Sequence, residues 1–221
     1  MVERVRITVG SGRVQIIGES RDDVAAEGAP SSGPGAEIVV RGGSDPVTVR
    51  VPTGTDVMVG SGSGNVAFTG PVGAVSVTTG SGDVAAEDVA SIDARTSSGK
   101  LTVDASRGSV RLRTKSARVR VGRADGDVHV AAVSGKVEIG EARAAVSIKT
   151  VSGHIDVVVT GTGEINVETL SGKMKVHVPA GARPDVRLRT ISGKQRVECT
   201  TGDAFVISGR SISGNITVTN E

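Results

Sequence analysis

The chain has 221 residues, with 26 Lys and Arg against 24 Asp and Glu, 31 Gly, two Phe, and neither Trp nor Tyr. Its single Cys, Cys199, excludes an intrachain disulfide scaffold, and the missing rings remove the side chains that stack on sugars or unpaired bases. No apolar run of about 18 residues is present, and the opening MVERVRITVGSG has no apolar signal-peptide core, so a cytoplasmic protein is expected.

Residues 1–60 hold short alternating segments at Val5–Val9, Val14–Ile17, Glu37–Arg41, Val47–Val51 and Val57–Val59. Alternation of β-branched residues reads as strand. Between them, residues 25–36 (AAEGAPSSGPGA) form a Pro/Gly/Ser loop expected to be mobile. This segment is expected as an N-terminal β cap, less regular than the remainder of the chain, since a stack of strands needs its first edge covered.

From residue 61 to 221 a repeat takes over, as one continuous domain. Ser-Gly followed by alternating apolar residues recurs at eight places from Ser63-Gly64 to Ser213-Gly214, with Ser116-Ala117 as a ninth copy. Successive copies stand 17 to 21 residues apart. Weaker copies lie halfway between, at Gly73, Gly108, Gly126, Ala144 and Gly163. One period of about 18 residues therefore holds two short strands, each opened by a turn. Such units bury a core only by stacking at roughly 4.8 Å per rung. The expected fold is all-β, a single-stranded parallel β-solenoid of about 18 residues per coil, right-handed as parallel crossovers are. Asn215–Thr219 is expected as its last rung.

Alternation assigns the faces. Val137, Ile139, Val146 and Ile148 point inward, while Lys136, Glu138, Ser147 and Lys149 point outward. The same parity turns Thr79, Thr96, Thr114, Thr150, Thr169 and Thr190 inward as a hydroxyl ladder. The residue between each Thr and the following Ser then points outward. In the C-terminal half it is Val133, Val151, Leu170, Ile191 and Ile212, a row of exposed apolar side chains that marks a protein-interaction surface if the turn keeps parity.

Two stretches duplicate each other at the ends of the repeat. Val49-Arg50-Val51-Pro52-Thr53-Gly54 matches Val176-His177-Val178-Pro179-Ala180-Gly181, each followed by an extended segment and a Ser-Gly turn. With these V-P-x-G corners and its T-x-S-G rungs, the chain resembles the DUF4097 β-strand-repeat proteins, the toastrack family, which also carry an adhesin label. The resemblance covers roughly residues 45–221. It implies a β-solenoid without an assigned biochemical activity, and links to membrane-stress or envelope systems.

Chemistry-bearing residues are sparse. Positions after the turn glycines include Lys100, Lys136, Lys173 and Lys194, which excludes a calcium roll because that ion needs oxygen ligands. His129, His154, His177 and Cys199 lie on different rungs without zinc-ligand spacing, so no metal, cofactor or catalytic residue is assigned. The basic residues Arg111, Arg113, Lys115, Arg118 and Arg120, with Arg187 and Arg189, form a candidate patch for an anionic or acidic partner. The expected function is a non-catalytic scaffold that binds a protein partner or itself, with peripheral contact to an anionic membrane surface as a further partner. Specific nucleic-acid binding and a small-molecule substrate are not expected. Alternatives are a self-assembling structural solenoid and a polysaccharide-active β-helix enzyme.

Overall fold

The structure, a computed structural model, describes residues 4–32 and 37–220. It is all-β, and among the described residues no helix is long and apolar enough to cross a membrane. The strands are β1 (Arg4–Val9), β2 (Val14–Glu19), β3 (Ala25–Glu27), β4 (Ser31–Ser32), β5 (Glu37–Gly42), β6 (Val47–Pro52), β7 (Asp56–Ser61) and β8 (Val66–Thr79). They continue as β9 (Val84–Ser106), β10 (Val110–Ala124), β11 (Val128–Ala142), β12 (Val146–Val159), β13 (Ile165–Val178), β14 (Asp185–Ser192), β15 (Gln195–Glu198) and β16 (Val206–Asn220).

The long strands β10 to β13 and β16 are each one rung bent at the Ser-Gly corner, which is Ser116-Ala117 in β10, whereas β8 bends at Gly70-Pro71. In β12, Val146, Ile148 and Thr150 point inward from one face and Ile155, Val157 and Val159 from the other. Rungs pair in parallel and in register, Val110 beside Val128 and Val128 beside Val146. The core between the faces is almost wholly Val, Ile, Leu and Ala. Each fully buried aliphatic side chain contributes about 1.5–3 kcal/mol by leaving water. Small β-branched residues suit this narrow space, and the two rings present, Phe68 and Phe205, are both buried.

The winding does not follow chain order at either end. Across one face the order is β14-β16-β13-β12-β11-β10-β9-β8-β7-β1-β5. Thus β1 sits between β5 and β7, and β16 sits between β13 and β14. The expectation that Asn215–Thr219 forms the last rung is corrected: β14 and β15 are outermost, and β16 fills a slot one rung further in. The same exchange occurs at the start, where β5 and β6 lie outside β1 and β2. Eleven parallel strands make a stack about 48 Å long.

Each exchange crosses at a V-P-x-G corner, which joins β6 to β7 at the start and β13 to β14 at the end. Thr55 N–H donates to Pro52 O, and Ala182 N–H donates to Pro179 O, at 3.1 and 3.0 Å. Gly54 and Gly181 hold φ of 80° and 82°, the third-position geometry of a type II turn. The duplicated motif is therefore the place where the chain steps past one rung and leaves a slot for a terminal strand.

Residues 1–60, expected as capping strands, supply two complete rungs whose Val5, Ile7, Val14, Ile16 and Val49 are fully buried. Residue 60 lies inside β7, which pairs on both sides, so no boundary falls there. Within the expected mobile loop 25–36, β3 runs antiparallel to β6 and β4 antiparallel to β5, covering the outer edge. Residues 33–36 of that loop lie outside the described residues. At the opposite end, β14 and β15 pair only with β16, and their outer edge is unpaired among the described residues.

Candidate functional site

The Ser-Gly corner carries the chemistry of one long edge. Its inner floor is the hydroxyl ladder, with Thr79, Thr96, Thr114, Thr150 and Thr169 all buried. Thr96, Thr150 and Thr169 donate to the carbonyls of Ser98, Ser152 and Ser171, two residues on. Each of those corners has its glycine, Gly99, Gly153 or Gly172, at positive φ. On β10 the corner carries Ala117 instead, which does not adopt positive φ, and Thr114 Oγ1 is buried with no hydrogen-bond partner. Ser211 Oγ, beside Gly214, is orphaned in the same way.

The outward residues of these corners form a ridge. Thr150 pairs with Thr169 and Ser152 with Ser171, so Val151 and Leu170 are neighbours. By the same bracketing Val133 adjoins Val151, Leu170 adjoins Ile212, and Ile212 adjoins Ile191. Their exposures are 51% for Val133, 45% for Val151, 52% for Leu170, 48% for Ile212 and 82% for Ile191. The chain order puts Ile191 before Ile212; the interleaved winding reverses them in space and keeps the ridge unbroken.

Cations flank the ridge on both sides. Before it runs the column Arg95, Arg113, Ala131, Lys149, Glu168, Arg210 and Arg189. After it runs Lys100, Arg118, Lys136, His154, Lys173 and Asn215. Glu168 is the one carboxylate in these two columns, and it is paired with Lys149 at 3.1 Å and Arg210 at 3.8 Å. An open groove of about 560 Å³ lies against the ridge, with Thr96, Thr114 and Thr150 on its floor and Arg113, Lys115, Lys149 and Val151 among its walls.

The candidate basic residues do not form one patch. Arg111, Arg113, Lys115, Arg118 and Arg120 wrap round a single rung, β10, and all are exposed. Arg187 and Arg189 lie on β14, with β11, β12, β13 and β16 in between, about 24 Å away at the spacing of stacked strands. Arg187 is moreover paired with Asp185 at 2.6 Å. Arg95 and Lys149, which share the column of Arg113, belong to the basic edge although charge runs in the sequence do not single them out. Stepping one period back from Arg113 finds Arg95, and stepping two periods forward finds Lys149.

Among the described residues no group of three or more His, Cys, Asp or Glu is placed to hold a metal. His177 Nε2 lies 3.2 Å from Asp156 Oδ1, and its Nδ1 lies 3.2 Å from Thr219 Oγ1. This is the hydroxyl–imidazole–carboxylate order of a nucleophilic relay. It spans neighbouring rungs of a sheet face. Asp156 lines a groove with Arg120 and Glu138, while His177 and Thr219 stand outside it. The contact ties β16 to β13. Cys199 packs partly against the core, and burial raises its thiol pKa.

The family described as Toastrack DUF4097 matches residues 3–220. No curated protein matches the chain. A crystal structure at 1.95 Å of a "putative cell adhesion protein" from Clostridium sporogenes ATCC 15579 aligns over 100% of this chain and 94% of its own, at 8% identity and a TM-score of 0.23, a likeness too remote to bear on function.

Proposed function

The chain belongs to the Toastrack DUF4097 family, and from that premise we propose that it is a non-catalytic interaction scaffold that docks through its apolar corner. The observation that carries this is the ridge from Val133 to Ile191, five aliphatic side chains on successive rungs, each about half exposed or more. Soluble surfaces rarely keep such a contiguous apolar strip unless something covers it. The family is not known for enzymes. The rigid stack supports a docking role, because backbone pairing on both sides fixes the spacing of the ridge side chains.

Self-assembly by end-to-end stacking is the weaker alternative. A head-to-tail polymer needs two open edges, and β3 and β4 already occupy one of them. Lateral pairing of two ridges remains within the scaffold role.

The test is the double variant Val151→Asp, Leu170→Asp in the full chain. Size-exclusion and chemical cross-linking, alone and against candidate partners, are expected to show association lost while circular dichroism and the melting curve stay as in the parent. Unchanged association in the folded variant would remove the corner as the docking edge.

A further inference from the structure

Resting on the corner as a docking edge, we propose that its partner is a bilayer of anionic phospholipid. The groove would seat the headgroup phosphates and the ridge would enter the acyl boundary. Two independent observations converge on this edge. First, the ridge is apolar, one side chain wide and about 19 Å long over five rungs, and it stands on the corner between two faces. Lipid tails conform to such a strip without a matching cleft, whereas a protein partner must supply one.

Second, cations line it on both sides, with Lys149 and Arg210, which share Glu168, and Arg189 before it, and Lys136, which pairs with Glu138, Lys173 and Lys194 after it. Among the described residues Lys173 and Lys194 make no ion pair, and neither do Arg113 and Lys115 at the groove. Basic side chains beside an apolar strip draw it to anionic headgroups and hold the strip at the interface.

Neither Trp nor Tyr is present to anchor the interface, so attachment depends on charge and is reversed by salt.

The experiment is vesicle flotation of the full chain. One vesicle is phosphatidylcholine alone, and the other is an equal mixture with phosphatidylglycerol. The chain is expected to float with the mixed vesicles only, and to be released by added salt. Arg113→Ala with Lys115→Ala should weaken the partition roughly 10- to 30-fold, and Val151→Asp with Leu170→Asp roughly 10-fold, each with an unchanged melting curve. Inorganic phosphate is the second arm, set against sodium chloride at matched ionic strength. Phosphate is expected to strip the chain from the mixed vesicles at lower ionic strength than chloride, whereas a chain that binds inorganic phosphate yet floats with neither vesicle would make free phosphate the ligand and the bilayer the wrong partner. No flotation, equal flotation with both vesicles, or folded variants that float like the parent also overturn the proposal. A chain that ignores vesicles yet associates through Val151 and Leu170 retains its scaffold role and loses the lipid.

Discussion

Thr219 Oγ1 stands 3.2 Å from His177 Nδ1, across 42 residues of sequence. The strand that ends the chain is thus bonded to one laid down two rungs of sequence earlier. Strands that enter a slot between neighbours gain pairing on both edges, so the terminal segments are held as firmly as the middle of the stack. The outermost rung, in exchange, has one neighbour only.

The first prediction rests on that arrangement. Ile216 on β16 is fully buried, whereas Val197 on β15 is 42% exposed although both point toward the core. Ile216→Ala is expected to cost about 2–5 kcal/mol in urea unfolding, and Val197→Ala under about 1 kcal/mol. Equal losses would mean that β16 is not an interior rung.

Much of this was legible in the sequence, because alternation has a period of two and each inward or outward assignment repeats down a column. Val137 and Ile139 are buried and Leu170 is exposed for that reason alone. The order of the outer rungs was not legible from periodicity, since β1 and β16 carry the same alternation as any other rung. A faint signal existed. Ser171, Ser192 and Ser213 are each 21 residues apart, where the middle of the chain uses about 18. Stepping past a rung requires extra backbone, and those added residues come after the second V-P-x-G corner. The orphaned Thr114 was equally hidden, because it depends on the φ of a corner three residues away.

The corners themselves are testable. A Cβ built on Gly54 or Gly181 meets nothing within 4 Å, so space is not the constraint there. The constraint is φ, which L-residues resist by about 1–2 kcal/mol. Gly54→Ala and Gly181→Ala are each expected to lower stability by that amount, read from denaturant midpoints with unchanged slope. A neutral effect at both positions would argue against the positive-φ turn.

Thr114 and Thr96 occupy the same ladder but differ in bonding, since Thr96 donates to Ser98 O at 2.7 Å and Thr114 has no partner. Thr114→Val is therefore expected to be neutral or to stabilise by up to about 1 kcal/mol, and Thr96→Val to destabilise by about 1 kcal/mol. Thermal unfolding of the two variants gives the sign directly.

Glu138 is held below the ordinary carboxylate range, first by its hydrogen bond to Lys136, which outweighs the opposing effect of burial, and then by the positive charges of Lys136, Arg120 and Arg118. A depressed carboxylate stabilises the fold above its unfolded pKa and loses that contribution as pH falls through the folded value. The pair is solvent-exposed, so Glu138→Gln should cost under about 1 kcal/mol at neutral pH. The difference from the parent should close in acid. A gap that widens on acidification would contradict the sign.

The order of the ridge, with Ile212 between Leu170 and Ile191, is the direct mark of the interleaved winding. Disulfide trapping reads that order directly, in a chain where Cys199 is first replaced by Ser. Leu170→Cys with Ile212→Cys places the thiols on adjacent rungs, about 4.8 Å apart, and Leu170→Cys with Ile191→Cys places them two rungs apart. Rapid cross-linking of the first pair and little of the second is the predicted result. Rapid cross-linking of Leu170→Cys with Ile191→Cys instead would mean that the rungs stack in chain order, and the ridge order described here would be wrong.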